Sequence, residues 1–171
     1  MVQIRLTKKF SSDLKIKNIP LPKAIHSIYD NWIIDNLVLN RKKIAMATHL
    51  EPRLTFFFPY TLIGGAKNIV AFIEEKIKNF ILKNNLKIDL NKINIIFKYI
   101  YYCKNTDNKS VVSNMTDLKK IFLAHVYGHQ FDKLNWQELN DITNDSIISF
   151  KSSEEKYVSP RERMIKLIKS L

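Results

Sequence analysis

Hydrophobic and polar residues alternate at the start of the chain and then change to helical spacing. The run V-Q-I-R-L at 2–6 predicts a strand with one buried face, because successive side chains of a strand point to opposite sides. Phe10 and Leu14 follow four residues apart, as on one face of a helix. Thr7 precedes them and is a common capping residue, so we expect a strand followed by a short helix.

Three β-rich runs predict an antiparallel meander in the next part of the chain. Residues 32–39 and 43–48 are separated by N-R-K at 40–42, and asparagine tolerates the left-handed backbone of a tight hairpin turn. A third run at 54–58 stops at Pro59. These three runs are expected to pair in sequence order.

The middle of the chain contains one clear helix and one ambiguous segment. Apolar residues recur three and four apart over 66–83, with charged residues between them, which predicts an amphipathic helix. Residues 93–103 are rich in β-branched and aromatic types and favour a strand, although 90–101 also fits a helix. A short helical turn is expected at 24–30.

Capping residues delimit another helix further along the chain. Asn114 or Thr116 can cap a helix that runs to about residue 127. Gly128 is a suitable C-terminal stop.

Two further helices and two loops complete the chain. A short helix is expected at 136–142, and Ser-Pro at 159–160 predicts the cap of a final helix over 161–171. Turn-forming residues at 106–108 and polar residues at 151–156 predict loops.

These elements together predict an α+β fold. The sheet is expected to be antiparallel, built from the N-terminal strand, the three-stranded meander and a later strand, with helices mainly on one face. No Gly/Ser/Pro-rich linker divides the 171 residues, so a single domain over 1–171 is expected.

The chain is strongly basic, with 28 Lys and Arg against 16 Asp and Glu and a net charge of +12. Such an excess attracts polyanions such as nucleic acid. The base composition of an AT-rich genome offers an alternative source, because lysine and asparagine codons are AT-rich. The single Cys103 is expected to be a small buried hydrophobe. No secretory signal or membrane-spanning run is visible, so the cytoplasm is the expected location.

Two positions combine cations with a backbone suited to anions. The hairpin turn presents Arg41, whose planar guanidinium can hold a phosphate by two hydrogen bonds. Lys109 precedes the predicted start of a helix, where backbone N–H groups attract anions. The candidate polyanion-binding residues are Arg5, Lys8, Lys9, Arg41, Lys42, Lys43, Arg53, Lys109 and Asn114. A solvated turn and an ordinary helix cap are the alternative interpretations of the two positions.

Motifs for cofactors and metals are missing from the sequence. It contains no P-loop, no G-x-G-x-x-G and no G-x-S-x-G. His125 and His129 are four apart, but the glutamate of an H-E-x-x-H motif is absent and Gly128 separates them. Neither a cofactor nor a metal is therefore expected.

Several segments resemble a bacterial family of unknown function. They are I-R-L-T-K-K at 4–9, W-x4-L-x-L-N-R-K-K-I at 32–44, F-F-F-P at 56–59 and N-K-S-V-V-S-N-M-T-D-L at 108–118. In this order they are similar to the DUF6933 domains. Lysines replace family arginines at Lys42 and Lys109, and Ser113 stands where the family has glycine. The resemblance implies a fold outline and no known activity.

The sequence leaves three functions open. The leading hypothesis is a non-enzymatic basic protein that binds nucleic acid or another polyanion. The second is an interaction or inhibitor protein that docks an acidic protein partner. The third is a metal-independent hydrolase or nuclease, which requires Arg41, Lys109, Asn114 and Asp117 to converge in one cleft.

Overall fold

The computed structural model describes residues 1–17, 19–23, 29–105, 108–150 and 156–170. Most of the predicted helical turn at 24–30 and of the predicted loop at 151–156 lies outside these ranges. So does most of the predicted turn at 106–108. The statements below concern the described residues.

The described residues form seven strands and seven α-helices. The strands are β1 (Val2–Leu6), β2 (Asn31–Leu39), β3 (Lys42–His49), β4 (Thr55–Pro59), β5 (Ile100–Lys104), β6 (Ile148–Ser149) and β7 (Tyr157–Val158). The helices are α1 (Lys8–Leu14), α2 (Tyr60–Ile63), α3 (Ile69–Lys83), α4 (Leu90–Phe97), α5 (Lys109–Val126), α6 (Trp136–Asp145) and α7 (Pro160–Lys169). Short 3-10 helices at Ala66–Asn68 and Phe131–Lys133 precede α3 and α6.

The main sheet has five strands in the order β4-β3-β2-β1-β5. The predicted meander is confirmed, because β2, β3 and β4 pair antiparallel in sequence order. The expectation of a wholly antiparallel sheet is wrong, since β1 pairs parallel with both β2 and β5. The fold is therefore α+β with a mixed sheet.

The parallel pairing follows from the length of the connections. A parallel neighbour requires a crossover long enough to return the chain to the starting end of the sheet. Residues 7–30, including α1, provide that crossover between β1 and β2. The chain between β4 and β5 contains α2, α3 and α4 and again returns to the same end.

Helices cover both faces of the sheet, which corrects the expectation of one helical face. On the first face, Ile4, Trp32 and Phe58 pack with residues of α1, α3, α4 and α7. On the second face, Ile33 and Phe57 pack with residues of α5, α6, β6 and β7. Each strand of the meander contributes apolar side chains to both clusters, so the centre of the sheet is buried on both sides.

Two helix assignments also differ from the sequence predictions. Residues 93–97 belong to α4 and not to the strand, because the Asp89 side chain accepts from Asn91 N at 2.9 Å and caps a helix whose buried residues Ile93 and Phe97 are four apart. The strand begins only at Ile100. A helix forms at α5 as expected, but Asn108 caps it, six residues before Asn114. The single cysteine, Cys103, is buried in β5 as expected.

Helix α6 closes the β4 edge of the sheet with two asparagine side chains. Asn144 Oδ1 accepts from Thr55 N at 2.8 Å, and Asn144 Nδ2 donates to Thr55 O at 2.6 Å. Asn140 pairs in the same way with Phe57, at 2.6 and 3.0 Å. Four residues of helix and two of strand both advance about 6–7 Å, so the two sets align. Helix α6 thus satisfies backbone groups that would otherwise attract another strand.

We predict that Asn144→Leu lowers the free energy of unfolding by about 2–4 kcal/mol. The substitution leaves the N–H and C=O of Thr55 without partners, and Thr55 is fully buried. Urea denaturation followed by circular dichroism measures the effect. Asn94→Leu makes the same change at an exposed position of α4 and should alter stability by no more than about 0.5 kcal/mol. Equal effects of the two substitutions would contradict the role of the amide.

Candidate polyanion-binding surface

One end of the sheet collects several turns and helix starts. Strands β1, β2, β4 and β5 run in the same direction, so their carboxyl ends lie on one side of the molecule. We call this side the carboxyl end of the sheet. The β2–β3 hairpin and the start of α1 lie there.

The hairpin projects beyond the other strands. Leu6, the last residue of β1, pairs with Ile34, and β2 continues to Leu39. Five further residues of strand carry the turn about 17 Å past the end of β1. Asn40 and Arg41 have φ values of 49° and 63°, as the sequence predicts for a tight hairpin. Arg41 is exposed at this tip.

The two lysines that follow Arg41 have acidic partners within the protein. Lys42 Nζ lies 2.7 Å from Asp132 Oδ1 and 4.3 Å from the centre of the Phe131 ring. Lys43 Nζ pairs with Asp13 of α1. The hairpin is therefore held by the Phe131–Lys133 turn at Lys42 and by α1 at Lys43.

Asp13 is the centre of a small polar network. Its carboxylate also accepts from Asn36 Nδ2 at 2.5 Å and from Tyr60 Oη at 2.8 Å. Burial alone would raise the pKa of Asp13, but the hydrogen bonds from Lys43, Tyr60 and Asn36 outweigh it and hold the pKa below its ordinary value. Burial and the Asp13 carboxylate raise the pKa of Tyr60. Lys43 thus serves to join α1 to the hairpin.

Three other lysines are exposed near the carboxyl end of the sheet. Lys8 and Lys9 open α1 directly after β1, and Lys104 ends β5. Among the described residues, no carboxylate forms an ion pair with these three lysines or with Arg41. We call the four residues Lys8, Lys9, Arg41 and Lys104 the cationic surface.

Lys109 does not belong to this surface. It opens α5 only five residues, or about 7.5 Å along the helix, before Asn114. The side chain of Asn114 contacts Arg53 in the β3–β4 turn, at the opposite end of the sheet.

Lys104 is the member that the sequence did not indicate. Its position at the carboxyl end of the sheet depends on the parallel pairing of β5 with β1, where Lys104 is the partner of Leu6. The sequence predicted a strand at 93–103 but gave neither its direction nor the strand beside it. The lysine itself carries no local signal that distinguishes it from the others.

Arg5 lies on β1 and has a partner on the neighbouring strand. Its Nε donates to Asn31 Oδ1 at 2.9 Å, and the side chain is partly buried. Its register partner on β5 is Cys103. Burial raises the pKa of the Cys103 thiol, which the charge of Arg5 partly offsets. Arg5 therefore stabilises a polar patch between strands and is not on the cationic surface.

Arg53 and Asn114 form a buried pair at the opposite end of the sheet. Arg53, in the β3–β4 turn, donates from Nε to Asn114 Oδ1 at 3.3 Å and from Nη1 to Glu51 O at 3.0 Å. Asn114 in turn donates to Ser149 O at 2.7 Å. Burial and the nearby Arg163 lower the pKa of Arg53 to about 10, so it remains charged at neutral pH. This arginine joins the turn to α5.

The four residues of the proposed hydrolase do not meet in one cleft. Arg41 lies at the hairpin tip, whereas Asn114 contacts Arg53 at the other end of β3. The eight residues of β3 separate these two positions by about 24 Å. Asp117 is exposed on α5 near Lys120, at 3.8 Å. His125 and His129 line a different cavity, of about 350 Å³, together with Glu138 of α6.

The family model that matches the chain has the description "Domain of unknown function (DUF6933)" and covers residues 3–163. The chain therefore belongs to this family, as its segments at 4–9, 32–44, 56–59 and 108–118 indicated. No curated protein matches the chain. Within the described ranges, no helix is long and apolar enough to cross a bilayer.

We predict that Arg53→Met lowers the free energy of unfolding by about 1–3 kcal/mol, because Asn114 Oδ1 and Glu51 O each lose a donor. Arg41→Met is a matched control, since both arginines have a φ of 63° and Arg41 is exposed. Its effect should stay within about 0.5 kcal/mol. Urea denaturation compares the two variants. A larger loss for Arg41→Met would contradict this division between buried and surface arginines.

The lowered pKa of Asp13 predicts an acid-dependent contribution to stability. A depressed pKa in the folded state stabilises the protein above the ordinary pKa of 3.8 and loses this effect as the pH falls through the folded value. Asp13→Asn should therefore cost about 2 kcal/mol at pH 7 and progressively less between pH 5 and pH 3.

Thermal unfolding at several pH values measures this difference. Asp132→Asn removes the other acidic partner of the hairpin, but Asp132 has an 86% exposed side chain and should have little effect at any pH. A stability loss for Asp13→Asn that does not change with pH would show that the carboxylate charge is unimportant.

Proposed function

We propose that this protein binds nucleic acid through the cationic surface at the carboxyl end of its sheet. The observation that carries the proposal is the presence there of four exposed cations with no carboxylate partner among the described residues. Cations that already have an acidic partner contribute less to binding a phosphate, because the partner must first be displaced. Lys8, Lys9, Arg41 and Lys104 remain available for phosphate oxygens.

The path of the chain at this end favours a crevice. After β1 the chain enters α1, which packs on the first face of the sheet through Phe10. After β5 it enters α5, which packs on the second face through Val111. Adjacent parallel strands whose following helices lie on opposite faces form a crevice between their carboxyl ends, where α/β proteins commonly bind ligands. Lys8 follows β1 and Lys104 ends β5, so a cation lies at the carboxyl end of each of these two strands.

The hairpin extends this region in one direction. Its tip lies about 17 Å beyond the end of β1 and presents the guanidinium of Arg41. A guanidinium forms two parallel hydrogen bonds to a phosphate. The distance corresponds to roughly three nucleotides of an extended single strand, so a flexible strand can reach the crevice and the tip together. We therefore favour single-stranded RNA or DNA.

An acidic protein partner is the second candidate function. Near the start of β5, Ile95, Tyr99 and Ile100 are 66%, 62% and 45% exposed. Lys98 lies beside them, with its Nζ 5.6 Å from the centre of the Tyr99 ring. Exposed aromatic and aliphatic side chains that lie together are typical of protein interfaces, and the neighbouring lysine favours an acidic partner. This patch supports docking of an acidic protein on a surface different from the crevice.

We predict that replacing the four cations of the cationic surface by glutamine weakens binding of a fluorescein-labelled 15-nucleotide single-stranded RNA. If all four contact phosphates, the slope of log K against log salt should become shallower by about 2.8, or about 0.7 per contact. Fluorescence anisotropy at 25–200 mM KCl measures both affinity and slope.

A matched control separates local charge from overall charge. Exposed lysines also lie elsewhere, and glutamine at Lys87, Lys92, Lys120 and Lys169 lowers the net charge from +12 to +8, as in the first variant. The control should retain most of the affinity and slope. Equal losses for both variants would mean diffuse attraction, and no binding at 25 mM KCl would reject the proposal. If the protein instead binds poly-glutamate and not RNA, and Tyr99→Ala abolishes that binding, the acidic protein partner is favoured.

A further inference from the structure

A second cavity lies away from the cationic surface, between β4, α3, α6 and the start of α7. Its volume is about 420 Å³, which is within the range of small-molecule sites. Its lining residues are Leu54, Phe56, Lys76, Asn79, Phe80, Lys83, Asn84, Gln137, Asn140, Asp141, Asn144 and Arg161. Because Asn140 and Asn144 hold α6 against β4, one wall of this cavity is fixed to the sheet edge.

Part of the cavity is apolar. Leu54 and Phe56 are buried residues at the start of the β4 edge, with 0% and 6% exposure. Phe80 of α3 is partly exposed and packs against the same apolar cluster. These three side chains offer a surface for an aromatic ring or an aliphatic chain, which gains free energy by leaving water.

The polar part of the cavity carries an excess of positive charge. Asp141 accepts from Lys83 Nζ at 2.7 Å and from Arg161 Nη2 at 2.5 Å, so one carboxylate holds two cations. Lys76 also lines the cavity, and its Nζ lies 4.9 Å from the centre of the Phe72 ring. In the part of the chain described, no carboxylate pairs with Lys76. Three cations therefore face two carboxylates, Asp141 and the Asp145 that pairs with Arg161, and the local charge is +1.

Arg161 lies at the rim between two carboxylates. Its Nε lies 2.7 Å from Asp145 Oδ1, while its Nη2 donates to Asp141. Asp141 and Asp145 are one helical turn apart on α6, so both carboxylates attract the guanidinium. Lys76 is the cation that remains free to meet a ligand. Amide groups of Asn79 and Gln137 lie nearby as hydrogen-bond donors.

We propose that this cavity is a binding site for a small organic anion with an apolar body. The apolar body would pack on Leu54, Phe56 and Phe80, and the anionic group would meet Lys76 at the polar side. The excess charge excludes cationic ligands, and the volume excludes a folded macromolecule. This site is separate from the cationic surface, so it does not depend on nucleic-acid binding.

Two dyes of nearly equal shape test the charge requirement. 8-Anilinonaphthalene-1-sulfonate is an aromatic anion, and N-phenyl-1-naphthylamine has the same ring system without the sulfonate. We expect the anion to bind the folded full-length protein saturably with one site, and about tenfold more tightly than the neutral dye, as for a single charge-assisted contact. Fluorescence titration gives both affinities, and isothermal titration calorimetry gives the stoichiometry.

Three variants locate the binding. Lys76→Gln should weaken binding of the anion about tenfold and leave the neutral dye unchanged. Asn79→Trp places a large side chain at the exposed rim and should weaken both dyes. Lys67→Gln removes an exposed lysine away from the cavity and is the control, with no expected change for either dye. Near-ultraviolet circular dichroism verifies that each variant keeps its packed core.

The outcomes separate this site from general dye binding. Absence of saturable binding would overturn the proposal. So would equal effects of Lys76→Gln and Lys67→Gln in folded variants, because the anion would then bind elsewhere. Tight binding of both dyes that Asn79→Trp does not alter would also overturn it.

Discussion

The parallel pairing of β1 with both β2 and β5 determines where the candidate surface forms. If β1 were antiparallel to its neighbours, Thr7 and the start of α1 would lie at the opposite end of the sheet from the hairpin. The observed direction instead brings the start of α1, the hairpin tip and the end of β5 to one end. The side chains of Val2, Ile4 and Leu6 are almost completely buried, so this interior strand is part of the core.

Helix α6 connects the two candidate binding regions. Asn140 and Asn144 fix it along β4, and Asp141 between them holds Lys83 and Arg161 at the cavity. At its start, the Trp136 ring lies 5.4 Å from the Phe131 ring, over which Lys42 of the hairpin lies. A change in how α6 sits against β4 would therefore alter both the cavity wall and the support of the hairpin.

Local signals in the sequence were sufficient for most individual elements, but not for their long-range pairing. Thr7 caps α1 and Ser159 caps α7, as their residue types indicated. The direction of β1 depends on where residues 7–30 return, which no local pattern records. For the site, the sequence identified cations but could not separate Arg53, buried by Asn114 and the β3–β4 turn, from exposed Arg41. Residues far apart in sequence pair with some of the cations, and these pairs decide which cations are available to bind a ligand.

The central claim is that nucleic acid contacts the carboxyl end of the sheet. Titration of ¹⁵N-labelled protein with a 12-nucleotide single-stranded RNA, followed by two-dimensional NMR, tests it directly, because each backbone amide reports on its own surroundings. The account predicts that the largest shift changes occur at Lys8, Lys9, Arg41 and Lys104, which lie in separate parts of the sequence. Changes spread evenly over the exposed lysines of α3, α4 and α7, or confined to those helices, would contradict it.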